Sequence, residues 1–191
     1  MHISVTLIVA LTLLSACSSA PRAAVSQEIF DEETGNTLLV VAKPLVFART
    51  RSDVAAFARD YATLVAVEVD QSGKFNDYIL LYRWSTVDPR MAAPPAPNQG
   101  ELKILADGRE IDLKPLEQSP VGLSRRKQLH VPEQGAMVAH EYKIDAATLR
   151  FIAASRELTL RMPQESFDTP FSIWEDGRGA LAQFAGRAGT Q

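Results

Sequence analysis

The chain reads as a mainly β protein: a sandwich of about eight or nine antiparallel strands with two or three short helices, one of them near the C-terminus. Three observations predict it. Short apolar or alternating runs recur between turn residues, at the spacing of an all-β domain. Asp107-Gly108 joins two such runs with a dipeptide suited to a type I′ hairpin turn. Helical spacing of apolar residues is confined to short stretches, around Val54–Tyr61, after Asp145 and after Arg178. A compact β-barrel is the alternative arrangement of the same elements.

In chain order, Thr37–Val41 and Leu45–Ala48 read as strand, kink, strand across Lys43-Pro44. Proline lacks the ladder N–H, so Pro44 marks an edge or a bulge. From Ser52 to Asp60 the pattern is ambiguous: Val54, Phe57, Ala58 and Tyr61 fall at i, i+3, i+4 and i+7, which suits a short helix capped by Ser52 or Asp53, and the segment is expected to be loop or one helical turn. Thr63–Val69 is β-branched and apolar, Asp70–Lys74 turns, and Tyr78–Trp84 returns. On the returning strand Tyr78, Leu80, Tyr82 and Trp84 share one face, while Ile79, Leu81 and Arg83 share the other. Both faces are largely apolar, which puts this strand in the middle of the fold. Its aromatic face is either core or a ligand platform.

Asp88–Gly100 is a Pro- and Ala-rich loop. Glu101–Ala106 and Arg109–Leu113 flank the Asp107-Gly108 turn, and Pro115 ends that pair. Glu117–Gln134 is a long connection, and its Arg125-Arg126-Lys127 cluster reads as a solvated loop. Met137–Ile144 is a strand with Val138, His140, Tyr142 and Ile144 on one face. Asp145 caps a helix over Ala146–Ala154, Glu157–Met162 alternates, and Phe171–Trp174 forms the last strand. After Glu175–Arg178 turns, Leu181, Phe184, Ala185 and Ala188 repeat at helical spacing.

Little chemistry is written in the pattern. Twenty basic and 23 acidic residues leave a net charge of −3, which argues against a nucleic-acid partner. His140-Glu141 is not a zinc-protease motif, because position 144 is Ile and strand neighbours point to opposite faces. No Gly-x-Ser-x-Gly elbow and no glycine-rich phosphate loop is present. Asp31-Glu32-Glu33 reads as an exposed charge run, and nothing points to a cofactor or metal. The ligand-facing candidates are therefore Tyr78, Tyr82, Trp84 and His140, although His140, beside Val138 and Tyr142, reads first as a hydrogen-bonded residue half in the core.

The N-terminus is more specific. Ile3 to Leu14 is an apolar run about half the roughly 20 residues a membrane-spanning helix needs, and it ends in small residues before the lone cysteine, Cys17. That thiol is a core residue, a nucleophile or a point of attachment. Ser18 to Ala24 has linker composition rather than core pattern, and no second cysteine exists for redox pairing. Leu14-Ser15-Ala16-Cys17 resembles the lipobox of bacterial lipoproteins. The resemblance implies cleavage between Ala16 and Cys17, a diacylglyceryl group on the Cys17 thiol and a further acyl chain, such as palmitate, on the new amino terminus. Two or more chains anchor stably where one does not. By the same resemblance, Ser18 after the cysteine implies sorting to the outer membrane, facing the periplasm.

These readings divide the chain into a signal peptide (1–16), a lipidated cysteine with flexible tether (17–27) and one β-rich domain (28–191). The expected function is that of a membrane-anchored envelope lipoprotein serving as a binding or assembly module for an envelope protein, a lipid or a glycan. The alternatives are a carrier of an apolar ligand, its chamber lined by the strand around Leu80–Trp84, and an envelope hydrolase with dispersed catalytic residues. The hydrolase requires His130 or His140 in an open cleft beside a carboxylate or serine.

Overall fold

The structure, a computed structural model, describes residues 26–87, 100–119, 122–123, 129–130, 132, 138–163 and 169–187. Ten antiparallel strands form one hydrogen-bonded sheet, accompanied by two helices. The strands are β1 (Ser26–Asp31), β2 (Asn36–Val41), β3 (Leu45–Thr50), β4 (Arg59–Gln71), β5 (Lys74–Ser85), β6 (Leu102–Ala106), β7 (Arg109–Leu113), β8 (Val138–Ile144), β9 (Leu158–Arg161) and β10 (Phe171–Glu175). The helices are α1 (Ala146–Ala154) and α2 (Arg178–Arg187).

The long hairpin β4–β5 is the spine. Ser72 and Gly73 both take positive φ, 57° and 87°, as a two-residue type I′ turn requires. That turn sets the register from Gln71 opposite Lys74 up to Asp60 opposite Ser85. β8 lines the outer edge of β5. On the other edge of β4, β2 pairs along Val67–Asp70 and β3 along Arg59–Leu64. β2 and β3 are thus two halves of one long strand, broken where Val41–Pro44 stand opposite only Val65 and Ala66. The break falls where Pro44 has no N–H to give the ladder.

The break also forks the sheet. β1 continues from β2, whereas β10, β9, β6 and β7 follow from β3. This second arm curls round until β7 lies beside β8 without pairing to it, so the barrel does not close. The chain flanking the β6–β7 hairpin bridges the seam instead. Leu116 N–H donates to the Glu141 carbonyl at 2.8 Å, and the Tyr142 hydroxyl donates to the Gly100 carbonyl at 2.5 Å.

Both helices pack together over one face of the spine. Ile152 of α1 and Leu181 of α2 meet Leu45, Leu64, Ala66 and Ile79. Asp145 caps α1 as expected, accepting from the Thr148 N–H at 2.8 Å and its hydroxyl at 2.7 Å. Such a cap is worth about 1 kcal/mol. The Asp107-Gly108 turn has a second use: Asp107 Oδ1 accepts the N–H groups of Arg156 and Glu157, tying the β6–β7 tip to the approach of β9.

Two expectations change. β1 starts at Ser26, inside the span that composition assigns to the tether, and supplies a tenth strand. Its polar residues pair with β2, whose apolar residues are buried. Asp31 is buried rather than part of an exposed run, and its carboxylate accepts from the Glu33 N–H and the Thr34 hydroxyl to close the β1–β2 turn. The Asp88–Gln99 loop and the Arg125-Arg126-Lys127 cluster lie outside the described residues.

Candidate functional site

Two places on this frame bring polar or aromatic groups together. The first is the β7–β8 seam. An open cavity of about 450 Å³ is lined there by Leu116, Glu117, Gln118, Ser119, Gly122, Ala139, His140 and Glu141. It exists because β7 ends at Leu113 and the following chain crosses to β8 instead of pairing with it. Gly100 takes φ +83°, and a Cβ on it would lie 2.6 Å from His140 Nδ1. Only glycine allows the chain entering β6 to lie so close to the imidazole.

His140 is half-buried on one face of β8, and Glu141 is buried on the other. They share a lining because the cavity opens along the strand's edge. His140 Nε2 is buried with no hydrogen-bond partner among the described residues, and burial, with the Arg83 charge nearby, lowers the imidazole pKa. The ring is therefore neutral at pH 7. Ser119 Oγ accepts the Leu123 N–H at 3.1 Å and makes no hydrogen bond with His140. The nucleophile–base pair that a hydrolase needs is not assembled between these two. His130 is occupied elsewhere, its Nε2–H donating to the Val41 carbonyl at 2.9 Å.

The second place is aromatic. Tyr61 and Trp84, direct partners across β4–β5, stack with ring centroids 3.9 Å apart and planes 6° from parallel. Trp174 meets Tyr61 edge-on, the Arg59 guanidinium lies over Trp174 at 4.9 Å, and the Trp84 indole N–H donates to Thr63 Oγ1. Val46, Ala48 and Tyr61 form a small cluster apart from the main core, with Trp84 packed on it. Behind it, Asp60 Oδ2 accepts from Arg49 at 2.9 Å and from Arg51 at 3.2 Å, and Ser85 donates to Asp60 Oδ1. Both arginines are buried, and Arg51 also grips Asp53 through two hydrogen bonds of 2.9 Å.

The residues named from sequence separate accordingly. Tyr78 and Tyr82 are buried in the core; the Tyr82 hydroxyl has no partner among the described residues, and burial beside Glu141 raises its pKa to about 12. Trp84 is half-buried in the aromatic cluster, and His140 lines the seam cavity. Ala16 and Cys17 lie outside the described residues. Tyr61, Arg59 and Trp174 were not among the site candidates, nor were Glu117 to Ser119. Tyr61 could have been found, because a two-residue turn at Ser72-Gly73 puts it opposite Trp84.

Among the described residues no three metal-ligating side chains converge, and no helix is long and apolar enough to cross a membrane. The apolar space under α1 and α2 is about 10 Å³, room for about one water. No protein family, curated protein or solved structure matches the chain.

Proposed function

We propose that this chain is a membrane-anchored envelope lipoprotein whose β domain is a binding module, with the seam cavity as its seat for a polar segment of an envelope partner. The observation that carries the reading is the cavity itself: about 450 Å³, lined by Glu117, Gln118, Ser119, His140 and Glu141, and framed on one side by a strand of the sheet. Recognition sites combine such preformed concavity with a few placed polar groups. The lipobox at Leu14–Cys17 supports the anchor and the envelope location. The lining favours hydroxyl, amide or amine groups over an acyl chain, and the 10 Å³ space beneath the helices has no room for a carried apolar ligand.

Site-specific photocrosslinking in cells tests the reading. A photoreactive residue at Gln118 is expected to give one reproducible envelope adduct. The adduct should vanish when Ala139→Trp fills the cavity, and Lys74, at the far end of β5, should give none. No adduct at Gln118, or one indifferent to the filling, contradicts the proposal.

A further inference from the structure

The turn between β3 and β4 exposes apolar side chains on a stiff support. Arg51 N–H donates to the Ala58 carbonyl, Val54 and Ala55 N–H donate to the Arg51 carbonyl, and Ala58 N–H donates to Ala55. The buried Arg51 guanidinium then clamps the turn to Asp53 and Asp60. Phe57 projects from this support 86% exposed, the most exposed of the large hydrophobic residues. At the same end of the spine, Trp174 is 52% exposed beneath the Arg59 guanidinium. A phenylalanine tip, an amphipathic indole and an arginine are the side chains that favour the water–lipid interface.

The topology aims the anchor at the same end. Ser26 pairs with Val41, and Val40 with Val67, so Ser26 stands level with Ala66. β1 runs parallel to β4, because each is antiparallel to β2. Followed backwards to Ser26, β1 points towards the Arg59 end of β4. Seven residue steps along β4 separate Ala66 from Arg59, about 23 Å. Nine residue steps separate Ser26 from Cys17 and span at most about 30 Å. The tether is thus just long enough to bring Cys17 level with the Phe57 turn.

We propose that the Arg51–Ala58 turn, with Phe57 at its tip and Trp174 and Arg59 beside it, is a membrane-contact surface that seats this end of the domain on the phospholipid bilayer holding the acyl chains of Cys17. The proposal rests on the lipoprotein reading. It deepens it by fixing which end of the domain meets the membrane. Asp53 is neutralised by Arg51 and so does not oppose contact with anionic headgroups, whereas Arg59 favours it. Glu175 is the exposed acid nearest in sequence to Trp174.

The test uses the mature lipidated protein in phosphatidylethanolamine–phosphatidylglycerol vesicles. An environment-sensitive fluorophore is attached at Phe57→Cys or, at the far end of the spine, at Lys74→Cys; the acylated Cys17 does not react. Blue-shifted emission at position 57, quenched severalfold more by doxyl-labelled lipid than at position 74, is the expected result. Equal, weak quenching at both positions in protein that still sediments with the vesicles overturns the contact and leaves the anchor standing. The same holds if position 57 shifts only when envelope protein is added, which would make the surface a protein-docking one. Protein without acyl mass that fails to sediment removes the anchor and the inference together.

Discussion

Glu68 and Asp77 stand directly opposite each other across the β4–β5 ladder, on one face, and neither accepts a hydrogen bond from any described residue. Glu68 is only 7% exposed. Burial first, and neighbouring negative charge second, raise both pKa values: Asp77 and Asp70 act on Glu68, Asp145 acts on Asp77, and Arg150 partly offsets the latter. An acid whose pKa is raised on folding stabilises the fold in its neutral form. That stabilisation is complete below the unfolded-state pKa near 4 and is lost as pH rises through the folded value.

Asp77→Asn should therefore stabilise the domain at pH 7.5, by on the order of 1 kcal/mol given the partial exposure of the pair. It should have little effect at pH 4. Urea unfolding at the two pH values measures this. Equal stability of variant and parent at pH 7.5 would mean that the two carboxylates are already neutralised there.

His140 acts in the opposite sense. Burial and the Arg83 charge lower its pKa, so the neutral ring stabilises the fold above the unfolded value near 6.5, and the contribution is lost as pH falls through the folded value. An NMR titration of the His140 ring should give a midpoint below 6.5. A midpoint above it would mean that the imidazolium finds an acceptor in the seam.

Asp60→Ala should cost about 3–5 kcal/mol, because it leaves the buried guanidinium groups of Arg49 and Arg51 without their shared carboxylate. The same change should loosen the turn that carries Phe57. Chemical denaturation measures the first effect, and amide exchange at Val54, Ala55 and Ala58 the second. A loss below 1 kcal/mol would show that the cluster contributes little.

Gly177→Ala should destabilise by about 1–3 kcal/mol. A Cβ there would lie 2.3 Å from the Pro44 carbonyl oxygen and 2.7 Å from that of Lys43. Backbone at the break between β2 and β3 cannot step aside as a side chain can. An unchanged melting temperature would mean that the entry to α2 is free to shift.

Much of this fold was legible because it is local. The Asp107-Gly108 turn, the Asp145 cap and the Pro44 break each act within a few residues and are found where the sequence puts them. β1 was missed because it begins in the polar run Ser26–Glu28 and carries only Ile29 and Phe30 as apolar residues, so it gains its order from β2. The fork was not legible either, since it depends on which edge of β4 each half-strand takes. The seam cavity arises between segments some 20 residues apart, Leu116–Ser119 and Ala139–Glu141, and no spacing announces such a meeting. His140 was singled out as a polar residue on a strand face, whereas Tyr61 reads as the end of a short helical spacing until the hairpin register is known.

The central claim, that this domain works while held to a bacterial envelope membrane, is tested most directly by the mass of the N-terminal peptide of the mature protein isolated from membranes. A peptide that begins at Cys17 and carries diacylglyceryl and acyl mass is the expected result. An intact Met1 start with a free Cys17 thiol would contradict the claim and return the cysteine to consideration as a reactive group.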